Sequence, residues 1–494
     1  MLQVLQWLYD VVWGAPALIL ILGVGLYLSM RTGFAQLRLF KRACTDFFQR
    51  LKPGAKTGEG ISPFQALCTA LAATVGTGNI AGVAGAITIG GPGAIFWMWV
   101  CGLLGMVIKL AEAALSVRYR MREDGEYFGG PMYMISRGMN KRWLWLAAAY
   151  SLFGVVAALG VGNATQINAV LTGINDCIIA YGGTPSRQLD LLLGCGMAIL
   201  VLILLLGGAK GIGKITEMLV PFAATAYLLL GTVVLVLRAG AIPTAFGAII
   251  HGAFSPNAVT GGVIGSFMVT LRVGISRGVF TNEAGMGTAG MAHAGANVRH
   301  PMEQGLMGIM EVFLDTVVIC TMTALVILCS GIAVPYGKAV GAELTMESFA
   351  LVLGDWVRGL ITLSLCLFAF ATVLGWGLYG ARCAQYLFGK KFWKPFAILQ
   401  AVTVLLGVLL NTGTVWLMAE IVNGLMSIPN LIALTVLSPE LGRLINDFQR
   451  KPGVAGGGKL CRYPSTQTVA NPRLCGNFTP MRWRRKSRER KYTT

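Results

Sequence analysis

Glycine and polar residues interrupt a long apolar segment of the chain at residues 72–82. Thr77 lies between Gly76 and Gly78 there, and Asn79 follows directly. Glycine costs about 1 kcal/mol relative to alanine in a helix interior, so a regular helix is weak at this point. If the helix breaks here, the carbonyls of its first half suit a small cation, and the amides that begin its second half suit a carboxylate. The residue types therefore have the chemistry to bind an ion and an anionic group together.

A second stretch with similar chemistry covers residues 272–287. It combines the charged residues Arg272 and Arg277 with the small or polar residues Gly274, Ser276 and Gly278. Unwound backbone at membrane depth is tolerated only where its polar groups meet protein, water or a ligand, so each break predicts a cavity. An alternative stays open for the first stretch, in which its glycines form a small-residue face for close helix packing. Two such stretches in one chain favour the cavity interpretation.

Membrane helices are the elements that must position these stretches. The chain has 494 residues, of which 55% are apolar and 12% charged, and its mean hydropathy of +0.67 lies outside the range of ordinary soluble domains. A membrane helix needs about 20 apolar residues. The sequence therefore predicts an all-α polytopic membrane protein with about eleven spans, at 14–30, 62–90, 93–117, 143–171, 189–206, 215–237, 258–281, 302–330, 352–380, 396–412 and 414–437.

Lysine and arginine are distributed unevenly between the connections of these spans. The connections on one side, together with the C-terminal segment, carry 33 of the 40 basic residues, while the other side carries 3 and the spans carry 4. Positive charge marks the cytoplasmic side of a membrane protein. An odd number of spans, with the N-terminus outside and the C-terminus cytoplasmic, accounts for this partition. It predicts a multi-pass protein of the bacterial inner membrane.

The two glycine-rich stretches lie in the second and the seventh predicted span. An offset of five spans makes them cross the membrane in opposite directions, as an inverted five-helix repeat requires. The predicted organisation is an N-terminal transmembrane helix with a cytoplasmic linker (1–60), a first inverted repeat (61–240), a second inverted repeat (241–440) and a basic, disordered cytoplasmic tail (441–494).

Three long and unusual motifs occur at residues 77–82 (TGNIAG), 90–99 (GGPGAIFWMW) and 281–287 (TNEAGMG). Through them the sequence strongly resembles the alanine or glycine:cation symporter family, and the similarity extends from about Leu8 to Asp447. That family has the LeuT-type fold of the amino acid-polyamine-cation superfamily. The resemblance therefore implies a 5+5 inverted-repeat core with two broken helices, preceded by one N-terminal helix.

The resemblance also implies a function. It points to a secondary active symporter that imports alanine or a similar small neutral amino acid, such as glycine or serine, by alternating access. Sodium would be the coupling ion, with no other cofactor, in a lipid bilayer and without nucleic acid. A symporter of the same fold for another substrate, such as glutamine, is the alternative. An enzyme is not expected, because the chain has only three histidines and no metalloprotease or catalytic-triad pattern.

The same resemblance assigns roles to individual residues. It implies that the glycine backbone of the first break receives the substrate carboxylate and that Asn79 contacts sodium. It also implies another sodium site, formed by carbonyls of the first break and the hydroxyl of Thr372. The expected substrate contacts are Gly76, Thr77, Gly78, Asn79, Gln166, Gly274, Ser276, Gly278 and Trp376, and the expected cation ligands are Ala72, Thr74, Val75, Asn79 and Thr372. Two alternatives stay open: Gln166 as a purely interhelical hydrogen-bonding residue and Trp376 as a packing aromatic.

Charged residues within the spans must find partners, because an unpaired charge in a membrane is expensive. Lys109 and Glu112 are three residues apart and can pair within one helix. Glu311 and Asp315 are expected partners for an arginine of the seventh span, with independent structural pairs as the alternative.

Overall fold

The computed structural model describes residues 2–51, 60–264, 266–338, 340–409 and 412–450. Helices account for almost all of this part of the chain, as the composition predicts. The segment after residue 450, and with it most of the predicted tail, lies outside the described residues. The helices of the first half are α1 (Leu2–Val12), α2 (Ala15–Arg31), α3 (Ala35–Arg38), α4 (Phe40–Arg50), α5 (Pro63–Thr74), α6 (Val83–Gly90), α7 (Gly93–Arg118), α8 (Pro131–Gly138), α9 (Leu144–Leu159), α10 (Thr165–Ala180), α11 (Arg187–Leu206) and α12 (Gly208–Leu237).

The second half of the chain is also mainly helical. Its helices are α13 (Ile242–Phe254), α14 (Pro256–Thr260), α15 (Phe267–Asn282), α16 (Thr288–Ala294), α17 (Pro301–Val312), α18 (Thr321–Ser330), α19 (Ala342–Leu353), α20 (Val357–Phe388), α21 (Trp393–Leu409) and α22 (Thr412–Arg450). One antiparallel hairpin, β1 (Met121–Glu123) and β2 (Glu126–Phe128), follows α7. Three π-helical segments lie within spans, at Gly78–Gly82, Gly160–Ala164 and Phe313–Cys320. Segments of this kind are frequent at functional sites.

The number of membrane-spanning helices depends on how broken helices are counted. Within the described ranges nine helices are long and apolar enough to cross a membrane, and the bent pair α5 and α6 makes ten. The predicted seventh span (258–281) is not among them, because its main helix, α15, has only 16 residues, and five non-helical residues separate it from α16. The predicted number of eleven is reached only when α15 and α16 together are counted as one broken span.

The second span begins and breaks for local reasons. Ser62 and Gln65 form a capping box at the start of α5, in which Gln65 N donates to Ser62 Oγ (2.9 Å) and Ser62 N donates to Gln65 Oε1 (3.0 Å). The helix ends at Thr74, because Val75 adopts an extended backbone with a ψ of 92°. The axis then bends by 52° before the chain continues towards α6. The break predicted for this span is confirmed.

The second break lies within the predicted stretch 272–287, at its C-terminal end. α15 is a continuous helix through residues 272–282, so the expected substrate contacts Gly274, Ser276 and Gly278 lie inside a helix and not at the break. The non-helical residues are 283–287. Glu283, Gly285 and Gly287 have positive φ angles of 54°, 97° and 77°, which a helix cannot contain.

The glycines of α15 serve helix packing instead. A Cβ atom on Gly274 would lie 2.4 Å from the carbonyl oxygen of Ala94, and one on Gly278 would lie 3.0 Å from Cys101 Cβ. Both glycines therefore let α15 approach α7 closely, as small residues do in membrane proteins. Ser276, on the same helix, is half-buried. The packing alternative raised for the first stretch thus applies to the second.

Backbone hydrogen bonds join the two broken segments at one end of the bundle. Ile61 and Ala296 form an isolated parallel bridge. Ile61 N donates to Gly295 O (3.2 Å), and Asn297 N donates to Ile61 O (2.9 Å). α5 begins and α16 ends beside this bridge, and we call this side of the molecule the Ile61 end.

The last helix continues past residue 441, where the tail was predicted to begin. Leu441, Leu444 and Ile445 are buried, so one apolar face of α22 still packs on the bundle there. Residues 441–450 therefore belong to the helical domain.

A buried ion pair joins α7 to α17. Lys109 Nζ lies 2.8 Å from Glu311 Oε1, and both side chains are fully buried. The expected pair of Lys109 with Glu112 is therefore wrong. The reason is close packing: a Cβ on Gly308 would lie 2.7 Å from Lys109 O, so this glycine brings α17 near enough to supply the partner.

The two arginines of α15 pair outside the eighth span. Arg272 lies 2.9 Å from Asp10 of α1, and Arg277 lies 3.1 Å from Glu420 of α22. The expected pairing with Glu311 or Asp315 is therefore wrong, because carboxylates of α1 and α22 lie within ion-pair distance of these two arginines.

Candidate functional site

Asn79 closes the first break with its side chain. Its Oδ1 accepts a hydrogen bond from Gly76 N (2.9 Å), and its Nδ2 donates to Asp315 Oδ1 (2.7 Å). Its own carbonyl accepts from Thr323 Oγ1 (2.8 Å). Asn79 is fully buried, so these contacts satisfy backbone and side-chain groups that the missing helical turn leaves open.

Thr372 of α20 meets the end of α5 at the same break. Its Oγ1 donates to Ala72 O (3.0 Å), as well as to a carbonyl of its own helix. A Cβ on Gly76 would lie 2.6 Å from Thr372 Oγ1, so glycine is required for this approach. Val75 lies between Ala72 and Gly76 in the chain. Thr74 Oγ1 contacts two carbonyls of its own helix, Ala70 O and Leu71 O.

Gln166 of α10 reaches the first break from another side. Thr77 Oγ1 donates to Gln166 Oε1 (3.2 Å), and Gln166 Nε2 donates to Val161 O (3.1 Å) in the preceding π-helical segment. Neighbouring Asn163 instead donates to Gln400 O (2.6 Å) and joins two helices. Of Asn163 and Gln166, therefore, Gln166 is the one that faces the break.

Trp376 connects α20 to the second break. Its indole Nε1 donates to Glu283 Oε1 (2.8 Å), and Thr288 Oγ1 donates to Glu283 Oε2 (2.6 Å). On its other side, a Cβ on Gly162 would lie 2.2 Å from Trp376 Cβ. The fully buried indole thus fills the space between the π-helical segment of the fourth span and the carboxylate at the second break.

The two breaks are neighbours in space. A Cβ on Gly78 would lie 3.2 Å from Thr281 Cγ2 and 3.4 Å from Phe280 Cδ1, at the C-terminal end of α15. The structure therefore brings together Ala72, Gly76, Thr77, Gly78, Asn79, Gln166 and Thr372, with Trp376 one helical turn beyond Thr372. It does not bring Gly274, Ser276 and Gly278 to a break, because they lie within the continuous helix α15.

Two buried carboxylates in this region were not predicted as site residues. Asp315 is fully buried in the π-helical segment after α17, where Oδ1 accepts from Asn79 and Oδ2 from Thr316 Oγ1 (2.9 Å). Glu283 begins the second break. The sequence does contain a signal for Glu283, since Gly285-Met286-Gly287 repeats the Gly-x-Gly spacing of the first break.

The first break is rich in oxygen atoms of several kinds. Backbone carbonyl, hydroxyl, amide and carboxylate oxygens meet there, from Ala72, Thr372, Asn79 and Asp315. Hard cations such as sodium prefer oxygen ligands of this kind. Within the described part of the chain no three His, Cys, Asp or Glu side chains come together as a transition-metal site would require. The arrangement suits an alkali cation.

Comparison with known proteins identifies the family. Residues 1–456 match the sodium:alanine symporter family. The chain belongs to this family. A relative in the sodium:alanine symporter family, the sodium/alanine symporter AgcS of Methanococcus maripaludis, is 43% identical over 86% of this chain and 92% of its own. Another relative, the probable sodium/glutamine symporter GlnT of Bacillus subtilis, is 34% identical over 90% of this chain and 89% of its own.

The fold is also that of a known transporter group. The structure resembles MhsT, which was solved in complex with L-phenylalanine, with a TM-score of 0.53 and 18% identity over 80% of this chain and 90% of that chain. This confirms the LeuT-type fold. Membership of the sodium:alanine symporter family makes the chain a multi-pass membrane transporter and not an enzyme. Its class of activity is sodium-coupled amino acid symport.

Proposed function

We propose that the chain imports alanine, or a similarly small neutral amino acid such as glycine or serine, together with sodium by alternating access. The observation that carries this proposal is the meeting of Thr372 Oγ1 with Ala72 O at the break of the second span (3.0 Å). Carbonyls and a hydroxyl at a broken helix are the groups with which transporters of this type coordinate sodium.

Sodium occupies two places around the first break in this proposal. One lies at the carbonyls of Ala72 and Val75 and the hydroxyl of Thr372. The other lies at Asn79 Oδ1, with Asp315 beside it. A buried carboxylate without a cation is costly, because its charge has lost its water, and a sodium ion next to Asp315 offsets that cost.

The substrate carboxylate binds the backbone amides of residues 77–79, and Gln166 assists through its amide. The positive dipole end at the start of the second half-helix favours the anionic group. The substrate ammonium group then points towards the C-terminal end of α15, at Phe280 and Thr281, where the helix dipole is negative. Trp376 limits the size of the substrate side chain, because the indole is held between Gly162 and Glu283.

Release towards the cytoplasm requires movement at the Ile61 end. A cavity there is lined by residues of α16 and α20, among them Met291, Leu378 and Arg382, and by Gly60 before α5. This cavity lies on the side that carries most of the basic connections. We assign that side to the cytoplasm, with the N-terminus outside and the protein in the bacterial inner membrane. The two inverted repeats, 61–240 and 241–440, each contribute one broken helix, and the bundle that contains both broken helices then rocks against the rest of the molecule.

The test is uptake of labelled alanine into proteoliposomes that contain the purified chain. An inward sodium gradient is expected to drive accumulation, and an equal potassium gradient is not. Unlabelled glycine, serine, glutamine and D-alanine compete in separate assays. Strong competition by glycine or serine supports the proposal. Competition by glutamine, stronger than that by alanine itself, would replace it with the alternative substrate, and uptake that ignores sodium would overturn it.

A further inference from the structure

We propose that Glu112 of α7 is a positioning residue for the substrate site, which acts by holding the second break in shape. The inference rests on the proposed function, because it concerns the same site. Glu112 contacts neither the first break nor Trp376; it acts through the backbone that carries Glu283.

The carboxylate of Glu112 binds the unwound backbone directly. Its Oε1 accepts hydrogen bonds from Gly285 N (2.9 Å) and from Gly287 N (3.0 Å). Asn430 of α22 adds a third, through Nδ2 (2.7 Å), and the same Nδ2 donates to Gly285 O (2.8 Å). Glu112 and Asn430 are both fully buried. One carboxylate oxygen therefore satisfies two amides that have lost their helical partners.

These amides need a partner because of the local conformation. Gly285 and Gly287 have φ angles of 97° and 77°, so their amides point away from a helical ladder. A Cβ on Gly287 would lie 2.3 Å from Pro131 Cγ and 2.7 Å from Asn430 Oδ1, so the backbone is closely enclosed. No substrate carboxylate can bind the same two amides while Glu112 occupies them. The proposed function accordingly places the substrate carboxylate at the first break.

Gly285, whose amide binds Glu112, lies two residues after Glu283 in the chain. Glu283 in turn accepts the hydrogen bond from the Trp376 indole. Between the two bound glycines, Met286 O accepts from Tyr150 OH of α9 (3.0 Å). A shift of the backbone at Gly285 therefore moves the carboxylate that fixes Trp376.

Charge distinguishes this role from simple packing. Lys109, one turn earlier on α7, pairs with Glu311 at 2.8 Å, and so the backbone amides and Asn430 are the hydrogen-bond partners of Glu112. Hydrogen bonds to an ionised acceptor are about twice as strong as neutral ones. The substitution Glu112→Gln keeps the shape and an oxygen acceptor but removes the charge.

The experiment combines transport with hydrogen–deuterium exchange of the intact protein in lipid nanodiscs. Glu112→Gln is expected to accelerate exchange in peptides that cover residues 283–294 and not in those that cover 72–82. Substrate KM is expected to rise about 5- to 20-fold, with a smaller change in maximal rate, because two charge-assisted bonds weaken. Asn430→Ala should shift both readouts in the same direction by less. Glu440→Gln is the matched control: Glu440 lies on α22 and pairs with Arg118 at 2.9 Å, away from both breaks.

The outcomes separate the two proposals. Unchanged exchange at 283–294 in Glu112→Gln overturns the positioning role, whatever happens to transport. Faster exchange with KM within twofold of wild type overturns it as well, because the break would then move without affecting substrate. Exchange needs no substrate, so it tests Glu112 even if wild-type vesicles show no sodium-driven uptake, which is the result that would refute the proposed function.

Discussion

Replacing Asn79 with alanine removes the side chain that closes the first break. In the wild-type chain Asn79 Oδ1 accepts from Gly76 N at 2.9 Å, and Nδ2 donates to Asp315 Oδ1 at 2.7 Å. Alanine leaves both of these buried groups without that partner. It also removes the amide oxygen that we propose as a sodium ligand. We expect weaker activation of transport by sodium while membrane insertion stays intact, because the rest of the span is apolar.

The magnitude follows from the contact that is lost. A hydrogen bond or ligand contact to a charged group contributes about 1.5–3 kcal/mol. Since about 1.4 kcal/mol corresponds to a tenfold change in an equilibrium constant, the half-activating sodium concentration should rise about 10- to 100-fold. An unpaired Gly76 amide costs stability as well, about 1–3 kcal/mol. A modest loss of thermal stability should therefore accompany the transport defect.

The assay measures initial alanine uptake into proteoliposomes over a series of sodium concentrations at constant ionic strength. Asn168→Ala is the matched control, since Asn168 is a buried asparagine of α10 whose Nδ2 donates to Ala164 O and Gly407 O. This control should lose stability without a shift in sodium activation. A sodium activation curve of Asn79→Ala that coincides with the wild-type curve would show that Asn79 is no sodium ligand.

Three further substitutions test other parts of the site. Thr372→Val should raise the half-activating sodium concentration about tenfold, since one oxygen ligand is lost. Thr372→Ser keeps the hydroxyl and should keep the wild-type sodium concentration; equal behaviour of the two variants in sodium-dependent uptake would contradict the assignment. Trp376→Ala should open the pocket, so that glutamine competes with labelled alanine much better than in wild type, and an unchanged competition profile would show that the indole does not limit substrate size. Lys109→Met should lower the free energy of unfolding by about 3–5 kcal/mol, because the buried Glu311 loses its lysine partner and keeps only the contact of Oε2 with His293 Nε2 (3.1 Å). Adding Glu311→Gln should recover part of this loss, and a thermal unfolding curve of Lys109→Met that matches wild type would refute the assignment.

The sequence predicts the first break well because its signals are local. Glycines on both sides of Thr77, followed by Asn79, weaken the helix at the point where the structure bends by 52°. The family resemblance supplies the distant partners Thr372 and Gln166. Both of them reach the first break in the structure.

The second break shows the limit of such reasoning. Glycine has two uses in a membrane helix, close packing and positive φ, and the sequence does not state which one applies. At Gly274 and Gly278 packing against α7 explains the glycines, whereas Gly285 and Gly287 need positive φ. The two uses can be distinguished only by knowing whether another helix packs against the glycine.

Partners of buried charges were the least predictable feature. Spacing of three residues favours Lys109 with Glu112 on one helix, but it does not account for helices that pack nearby. The closely packed α17 brings Glu311 to Lys109, and Glu112 is free to bind backbone amides. Asp315 was expected to pair with an arginine of the seventh span, but its carboxylate accepts hydrogen bonds from the neutral side chains of Asn79 and Thr316.

The bridge between Ile61 and Ala296 has a consequence for how many independent motions the protein possesses. Two backbone hydrogen bonds attach the start of α5 to the segment that follows α16. Severing them costs free energy unless water replaces each partner. We therefore expect α5 and α16 to move together, as one body, when the Ile61 end opens.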